Sequence, residues 1–366
     1  MENEKYLSTQ IITYLGNKRR LLDFINDGIS HVKERLNKEK LITFDGFAGS
    51  GIVSRYLKQH SELLISNDFE KYSFVINSCF LSNKNDIDQN WICDMINEIN
   101  SKKFRTDLPI GIIEELYSPK DTKNPQKDER VFYTNENAKI IDNIRRTISE
   151  YNLTPEQEKF LISPLLIKAS IHNNTSGVFK GFYKDSQTGI GKFGGNAENA
   201  LVRILGEITL ECPIFSDNNC DVKVYNEDVN KLVLDIDDVE LTYYDPPYNE
   251  HPYGSNYHML NTILDYKKPE EVSKVSGIPT DWQKSAYNKN KSAIESLNNL
   301  IENTKSKFIL LSYNDEGVIP TEEVREILEK HGKVILKEKD YNTFRGSRNL
   351  KGRENKVKEL LYILER

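Results

Sequence analysis

A glycine-rich loop between two apolar segments constrains the fold of this chain more than any other feature. The apolar run LITFDGF at 41–47 ends in a glycine turn, a helix-like stretch IVSRYLKQH follows, and a second apolar run, LLISND, occupies 63–68. This order is typical of a β-turn-α-β unit with carboxylates at the strand ends, and such units build parallel sheets. We therefore expect an α/β protein with a mostly parallel sheet.

The same alternation returns near the C-terminus. Strand-like segments are expected at VKVYNED (222–228), VELTYYDPPY (239–248), KFILLSYND (307–315), KVILKEKDY (333–341) and VKELLYILE (357–365), with a helix at 321–332. Between the two αβ regions the chain shows helical periodicity, then a stretch at 173–196 rich in glycine, polar and aromatic residues, and then a helix near 198–210. We predict a sheet domain assembled from 1–83 and 198–366, interrupted by an inserted, mainly helical domain with a hairpin at 84–197.

Charge and hydropathy limit the class of protein. The formal net charge is -6 and the isoelectric point is about 5.7, but binding to nucleic acid depends on local basic clusters and not on the sum. Such clusters occur at 18–20, 145–146 and 345–353, and each could equally be an ordinary solvated face. No apolar run reaches membrane-spanning length and the N-terminus does not resemble a signal peptide, so we expect a cytoplasmic protein without membrane contact.

The four cysteines, Cys79, Cys93, Cys212 and Cys220, are scattered without a C-x-x-C pair. This spacing gives no reason to infer a zinc site or a disulfide framework, and we interpret all four as free thiols. We expect no metal centre.

The loop Phe44 to Gly51 (FDGFAGSG) combines close glycines with the start of a helix. Glycines let the backbone approach a ligand closely, and the helix N-terminus adds free N–H donors. Ser54 occupies the third glycine position of the dinucleotide-binding pattern, which disfavours a nicotinamide cofactor. Asp68, at the end of the next strand, is suited either to a ribose diol or to capping a helix.

The tetrapeptide Asp245-Pro246-Pro247-Tyr248 follows the apolar run LTYY. Two prolines end the strand and fix the backbone carbonyls, so a carboxylate, a carbonyl and an aromatic ring face one place. A flipped base with an exocyclic amine requires two acceptors and a stacking face, although the tetrapeptide could also be an ordinary turn.

Taken together, these motifs resemble the Dam-like alpha group of DNA adenine-N6 methyltransferases. The resemblance covers Tyr14-Leu15-Gly16-Asn17-Lys18-Arg19, the F-x-G-x-G loop, Asp68, the element Asn226-Glu227-Asp228 and D-P-P-Y, in that order, and the tail YNTFRGSRN. Asn17 departs from the pattern, since many relatives have a second glycine there. The resemblance implies a Rossmann-like class I methyltransferase sheet with an antiparallel C-terminal strand, S-adenosylmethionine as cofactor and double-stranded DNA as partner.

The resemblance also assigns roles to residues. Tyr14, Lys18 and Ser50 would contact the cofactor, Phe47, Gly49 and Gly51 would line its methionine side, Asp68 would hold its ribose, and Asp228 would lie near its adenine. Asp245, also near the cofactor, would hold the target base as the catalytic group together with Pro246, Pro247 and Tyr248. The insertion between Asp68 and Asp228 lies where this group carries target recognition.

Candidate DNA-binding residues are the basic side chains of the insertion and of a late loop: Arg145, Arg146, Lys180, Lys184, Lys192, Arg345 and Arg348. Phe179, Phe182 and Tyr183 lie among the lysines and would either wedge into DNA or form a small hydrophobic knot under a solvated loop.

The expected activity is methylation of adenine N6 at a specific site, in a bacterial or phage modification enzyme that could be paired with a separately encoded restriction endonuclease. Three alternatives remain open: methylation of RNA or of a protein amide, for which relatives usually carry Asn in place of Asp245; a noncatalytic DNA-binding relative; and a nucleotide-dependent oxidoreductase. The sequence does not fix the oligomeric state.

Overall fold

The structure is a computed structural model that describes residues 2–198, 200–342 and 356–366. Within these ranges seven strands form one sheet: β1 (Leu41–Asp45), β2 (Ser61–Asn67), β3 (Asp221–Tyr225), β4 (Leu241–Tyr244), β5 (Phe308–Asn314), β6 (Lys333–Asn342) and β7 (Lys356–Glu365). Each segment predicted to be a strand from the sequence forms one.

Short and long helices alternate with these strands. They are α1 (Glu4–Ser8), α2 (Leu22–Leu36), α3 (Ile52–Lys58), α4 (Lys71–Phe80), α5 (Gln89–Lys102), α6 (Ile112–Tyr117), α7 (Asn135–Glu150), α8 (Pro155–Ile171), α9 (Leu201–Leu205), α10 (Val229–Leu232), α11 (Tyr253–Asn256), α12 (His258–Asp265), α13 (Asn290–Asn303) and α14 (Thr321–Glu329). Four 3₁₀ turns complete the described part, of which the turn Lys18–Leu21 bears on the site.

The sheet order is β3-β2-β1-β4-β5-β7-β6. Strands β1 to β5 pair in parallel, whereas β7 runs antiparallel between β5 and β6. This confirms the Rossmann-like class I methyltransferase sheet with an antiparallel C-terminal strand. The strand order reverses between β1 and β4, and a crevice forms outside the carboxyl ends of parallel strands at such a switch point.

Alternating side chains bury both faces of the sheet. Tyr244 faces a cluster with Phe44 and helix α13, while the preceding Tyr243 faces the opposite cluster with Leu310 and helix α2. Because both faces are covered, the central strands read as nearly continuous apolar runs.

The region expected to be a helical insertion is helical. Helices α5 to α8 bury their apolar residues in a third cluster, which also receives α4 and α12. Helix α8 begins with a capping box in which Thr154 and Gln157 satisfy each other's backbone N–H groups. In the following stretch, Lys184 and Gly191 form an isolated antiparallel bridge.

Two expectations from the sequence were wrong. The helix expected near 198–210 is shorter than predicted and consists of α9 alone. The backbone leaves the helical conformation at Gly206 and continues as an extended segment. Cys93 and Cys212 are not free thiols but form a disulfide between α5 and this extended segment, with Cα atoms 5.4 Å apart. The two cysteines are 119 residues apart, and a close-spacing pattern such as C-x-x-C does not indicate a pair at that distance. Cys79 and Cys220 are free and buried.

None of the described helices is both long enough and apolar enough to cross a membrane.

Candidate active site

A cavity opens at the carboxyl ends of β1 and β4. It is lined by the residues that the sequence singled out, among them Tyr14, Lys18, Phe47, Gly49, Ser50, Asp68, Asp245, Pro247 and Tyr248. A second cavity adjoins it and shares Phe47, Phe69 and Ser285. The two cavities together form one cleft.

The glycine loop is shaped by two left-handed residues. Gly49 has φ +53° and Gly51 has φ +77°, a conformation that other residues rarely adopt. A Cβ atom on Gly51 would lie 2.3 Å from Asn77 Oδ1, and one on Gly49 would lie 2.7 Å from the Tyr14 ring. The glycines are therefore required both by the backbone turn and by neighbours packed against it. Gly51 is not among the residues that line the cavity, so it contributes to the shape of the loop and not to the cavity wall.

Asp68 holds this loop in place. Its carboxylate accepts hydrogen bonds from Gly49 N at 2.6 Å and from Glu70 N at 2.8 Å. Burial raises the pKa of Asp68 to about 6, against the backbone hydrogen bonds that lower it. Glu70, not Asp68, is the N-cap residue of α4, so capping does not account for Asp68.

A second carboxylate, Asp45, lies under the loop and was not singled out from the sequence. It is fully buried, accepts a hydrogen bond from Ser54 Oγ at 2.6 Å, and has its pKa raised to about 7 by burial. Ser54 occupies the position at which dinucleotide-binding loops carry a third glycine. Its hydroxyl donates the hydrogen bond to Asp45.

Asp245 follows β4 directly and faces the cavity. Its side chain is 16% exposed, and Lys18 Nζ lies 3.4 Å from Asp245 Oδ1. That oxygen has no hydrogen-bond partner among the described residues. Burial raises the pKa of Asp245 to about 7, although the Lys18 ammonium lowers it. Pro246 is buried, and Pro247 and Tyr248 line the cavity beside Asp245.

Lys18 is the buried cation of the site. Its Nζ donates to Glu359 Oε2 at 3.0 Å and to the Tyr248 hydroxyl at 3.4 Å, and it lies 5.1 Å from the Tyr248 ring centroid. Burial lowers the pKa of Lys18, but the negative groups around it outweigh burial and raise the pKa well above its usual value. The lysine therefore stays charged.

The N-terminal segment folds against the cavity. The Tyr14 ring stacks on Tyr253 and Tyr257, with centroids 5.0 and 4.9 Å away. Leu15 N donates to the Tyr257 hydroxyl, and the Tyr253 hydroxyl donates to Leu15 O. These contacts tie the segment to the chain that follows D-P-P-Y.

Asn17, the departure from the family pattern, has an ordinary negative φ of -58° and needs no glycine. Its side chain caps the 3₁₀ turn by accepting from Arg19 N, and its amide donates to Ser50 Oγ at 3.1 Å. The residue thus joins the N-terminal segment to the glycine loop.

Asp228 lies in the second cavity, at the end of the shared cleft away from Asp245. One of its oxygens accepts from Asn230 N and caps α10. Phe47 and Phe69 separate the Asp228 side of the cleft from the Asp245 side, since both line the two cavities.

The structure distinguishes among the predicted DNA-binding residues. Arg145 is buried and its guanidinium donates to Leu264 O and Ser149 Oγ, so we correct its interpretation as a phosphate ligand. Arg146 donates to the carbonyls of Pro109 and Ile110, which also points to a structural role.

The three lysines of the glycine-rich stretch are placed differently. Lys180, Lys184 and Lys192 are partly exposed and form no salt bridge within the described residues. Phe179 and Phe182 pack against Phe132, as expected for the hydrophobic knot. Arg345 and Arg348 lie outside the described residues.

Sequence reasoning missed Glu359, which lies 341 residues from its partner Lys18. A glutamate with 5% exposure within the apolar strand β7 is an unusual position for a charge. A glutamate directly before the apolar run LLYIL was the available signal, but its partner depends on the register of the sheet.

The donor set of the cleft fits S-adenosylmethionine, the cofactor implied by the resemblance. The carboxylates of Asp245 and Asp68 line the cleft as acceptors, the glycine loop admits close backbone approach, and Phe47 and Phe69 present rings. Carboxylates outnumber the single buried Lys18 on this wall, which suits a ligand with a positive charge.

Comparisons with known proteins show a family and relatives that this chain resembles along most of its length. The sequence pattern of the D12 class N6 adenine-specific DNA methyltransferase family matches residues 14–327. The chain is 30% identical over 364 residues to the Type II methyltransferase M.NlaIII of Neisseria lactamica, covering 97% of this chain and 99% of that protein. It is 28% identical to M.CviAII of Paramecium bursaria Chlorella virus 1, covering 96% of this chain and 98% of the relative. It is 30% identical to M.FokI of Planomicrobium okeanokoites, covering 87% of this chain and 47% of that protein.

Proposed function

This chain belongs to the D12 class N6 adenine-specific DNA methyltransferase family, and from that premise we propose that its cleft binds S-adenosylmethionine beside a target adenine extruded from double-stranded DNA. The observation that carries the proposal is the opening of Asp245, Tyr248 and the glycine loop onto one cavity. A donor and an acceptor held in one cavity react as one unit, and alignment supplies much of the rate.

S-adenosylmethionine supplies an already activated methyl group when bound. The residues proposed to hold it are Tyr14, Lys18, Phe47, Gly49, Ser50, Asp68 and Asp228, with Asp245 between it and the base. Gly51 contributes through the shape of the loop. The Asp68 carboxylate has lone pairs left for ribose hydroxyls beyond its two backbone bonds.

Asp245, Pro246, Pro247 and Tyr248 are the proposed catalytic set. The N6 amine of adenine is a weak nucleophile because its lone pair is delocalised into the ring. Hydrogen bonds from its N–H groups to the Asp245 carboxylate and to the Pro246 carbonyl favour a more tetrahedral amine. The Tyr248 ring, held edge-on against Tyr313 at 5.7 Å, stacks on the base.

Target recognition is proposed to reside in residues 84–197, inserted between the sheet segments 1–83 and 198–366. Lys180, Lys184 and Lys192 are the phosphate contacts that we favour there, because these residues are partly exposed. The lysine contacts position the DNA but do not read its sequence.

The relatives are named Type II methyltransferases and modification methylases. We extend this to a role in restriction-modification, in which a separately encoded endonuclease cuts the same sequence when it is unmethylated. Methylation of RNA or of a protein amide is disfavoured by family membership.

Expression in a host without N6-methyladenine tests the proposal. Sequencing of the host DNA is expected to show N6-methyladenine at one short recognition sequence, and the Asp245→Ala variant at equal abundance is expected to leave the same DNA unmodified. Unmodified DNA with the wild-type chain, or methylation at another base, would contradict the proposed function.

A further inference from the structure

The ammonium of Lys18 lies between two carboxylates that come from opposite ends of the chain. It is 3.0 Å from Glu359 Oε2, with hydrogen-bond geometry, and 3.4 Å from Asp245 Oδ1. Asp245 Oδ1 itself has no hydrogen-bond partner among the described residues. The closer bond of Lys18 therefore goes to Glu359 and not to the proposed catalytic carboxylate.

The position of Glu359 follows from the sheet. Strand β7 is antiparallel to β5, and the register pairs Glu359 with Asn314, the last residue of β5. The start of β7 thus lies at the same sheet edge as the end of β4, from which Asp245 projects. Through Glu359, the C-terminal strand contributes a side chain to the site.

Strand packing does not by itself require a glutamate here. The neighbours Leu360 and Leu361 are buried and apolar, and a buried carboxylate is costly unless a charge or hydrogen bonds compensate it. The register partner on β6 is Lys339, but its ammonium lies 5.9 Å from the Phe24 ring centroid and forms no salt bridge with Glu359 within the described residues. Lys18 is the cation that compensates Glu359.

We propose that Glu359 is a positioning residue of the active site, whose carboxylate holds the Lys18 ammonium back from Asp245 and so leaves the Asp245 carboxylate able to accept the amine of the target adenine. The inference rests on the proposed function for the identity of that amine. If Glu359 were neutral, the ammonium would have only one carboxylate to pair with, and it would close on Asp245 and occupy the acceptor.

The charges around Asp245 predict the direction in which its pKa changes when Glu359 is neutralised. Lys18 lowers the pKa of the Asp245 carboxyl, and Glu359 raises it. Asp45 from β1 also faces it, as do the phenols of Tyr243, Tyr248 and Tyr253. Neutralising Glu359 removes one negative charge and brings Lys18 closer, so both changes lower the pKa of Asp245.

The test compares Glu359→Gln with Glu359→Asp and with Glu338→Gln. Glu338 is a matched control, because it pairs with a lysine on the adjacent strand, Lys358, at the exposed part of the same sheet. Thermal unfolding and binding of S-adenosylmethionine first establish that each variant is folded.

Glu359→Gln is expected to lower kcat for methyl transfer about tenfold with a smaller change in KM, because an acceptor for the reacting amine is lost. Glu359→Asp, which keeps the charge, is expected to retain more of kcat. Glu338→Gln is expected to match the wild type. Equal kcat in Glu359→Gln and the wild type would overturn the proposal.

A second readout does not depend on methylation. The carboxyl carbon of Asp245, followed by NMR in protein labelled with [13C]aspartate and assigned with Asp245→Asn, reports its titration directly. The midpoint in Glu359→Gln is expected to fall by about half a pH unit or more. An unchanged or raised midpoint would overturn the proposal even if the wild-type chain methylates DNA. A lowered midpoint in a chain that does not methylate DNA would support the charge arrangement while the proposed function failed.

Discussion

The carboxylates of this site share one chemical type but differ in the groups that surround them. Asp45, Asp68 and Asp245 are all carboxylates at strand ends, yet Asp45 accepts a hydrogen bond from Ser54, Asp68 accepts from the loop backbone, and Asp245 lies against the Lys18 ammonium. We propose that Asp245 is the carboxylate that accepts the amine of the target adenine.

The protonation of Asp245 predicts a pH dependence. Only the ionised carboxylate offers both oxygens as acceptors, and the pKa of Asp245 is raised by burial to about 7. Below that pH the group is protonated in the folded enzyme, so kcat/KM for DNA is expected to fall as pH decreases through about 7. The profile of Asp245→Asn, recorded in parallel, should lack this limb; an identical limb in that variant would assign the titration to another group.

Short elements place these residues. The loop between β1 and α3 turns through two left-handed glycines, and Tyr14 and Asn77 occupy the space where side chains would stand. Strand β4 ends at two prolines, and the N-terminal segment is held to the following chain by Tyr253 and Tyr257.

Replacement of Gly51 tests the loop. Gly51→Ala is expected to lower the free energy of unfolding by about 2 kcal/mol, because it combines a left-handed φ with a contact against Asn77 Oδ1. Gly189 has a similar φ of +71° and no atom within 4 Å of an added Cβ. Gly189→Ala therefore isolates backbone strain, with an expected loss of about 1 kcal/mol by chemical denaturation. Equal losses for both variants would show that the Asn77 contact has no energetic consequence.

The lysines of the glycine-rich stretch of the insertion are predicted to contribute to DNA binding. Changing Lys184 and Lys192 together to alanine is expected to weaken DNA binding and to reduce the slope of log K against log salt by about 2, one per lost phosphate contact. Lys330→Ala, at the exposed end of α14, is the control and should leave the slope unchanged. A double variant with the wild-type slope would remove these lysines from the interface.

Across the whole molecule, local patterns and long-range contacts were predictable to different degrees. The β1-loop-β2 unit and D-P-P-Y were readable because their strands, turns and acidic residues lie within a few positions of one another. The pairing of Lys18 with Glu359 and the disulfide of Cys93 with Cys212 depend on how distant segments pack, which no local period encodes. Arg145 has the positive charge expected of a DNA-binding residue, but packing of its helix against α12 buries the side chain.

The proposed methyl transfer requires the donor and the target adenine to meet at Asp245. The most direct measurement is transfer of labelled methyl from S-adenosylmethionine to unmethylated DNA by the purified chain, with nucleoside analysis of the product. The wild-type chain should label N6-methyladenine, Asp245→Ala should lose at least about a hundredfold in rate, and Asp235→Ala, at an exposed position, should match the wild type. Label in another nucleoside, or labelled adenine at the wild-type rate in Asp245→Ala, would contradict it.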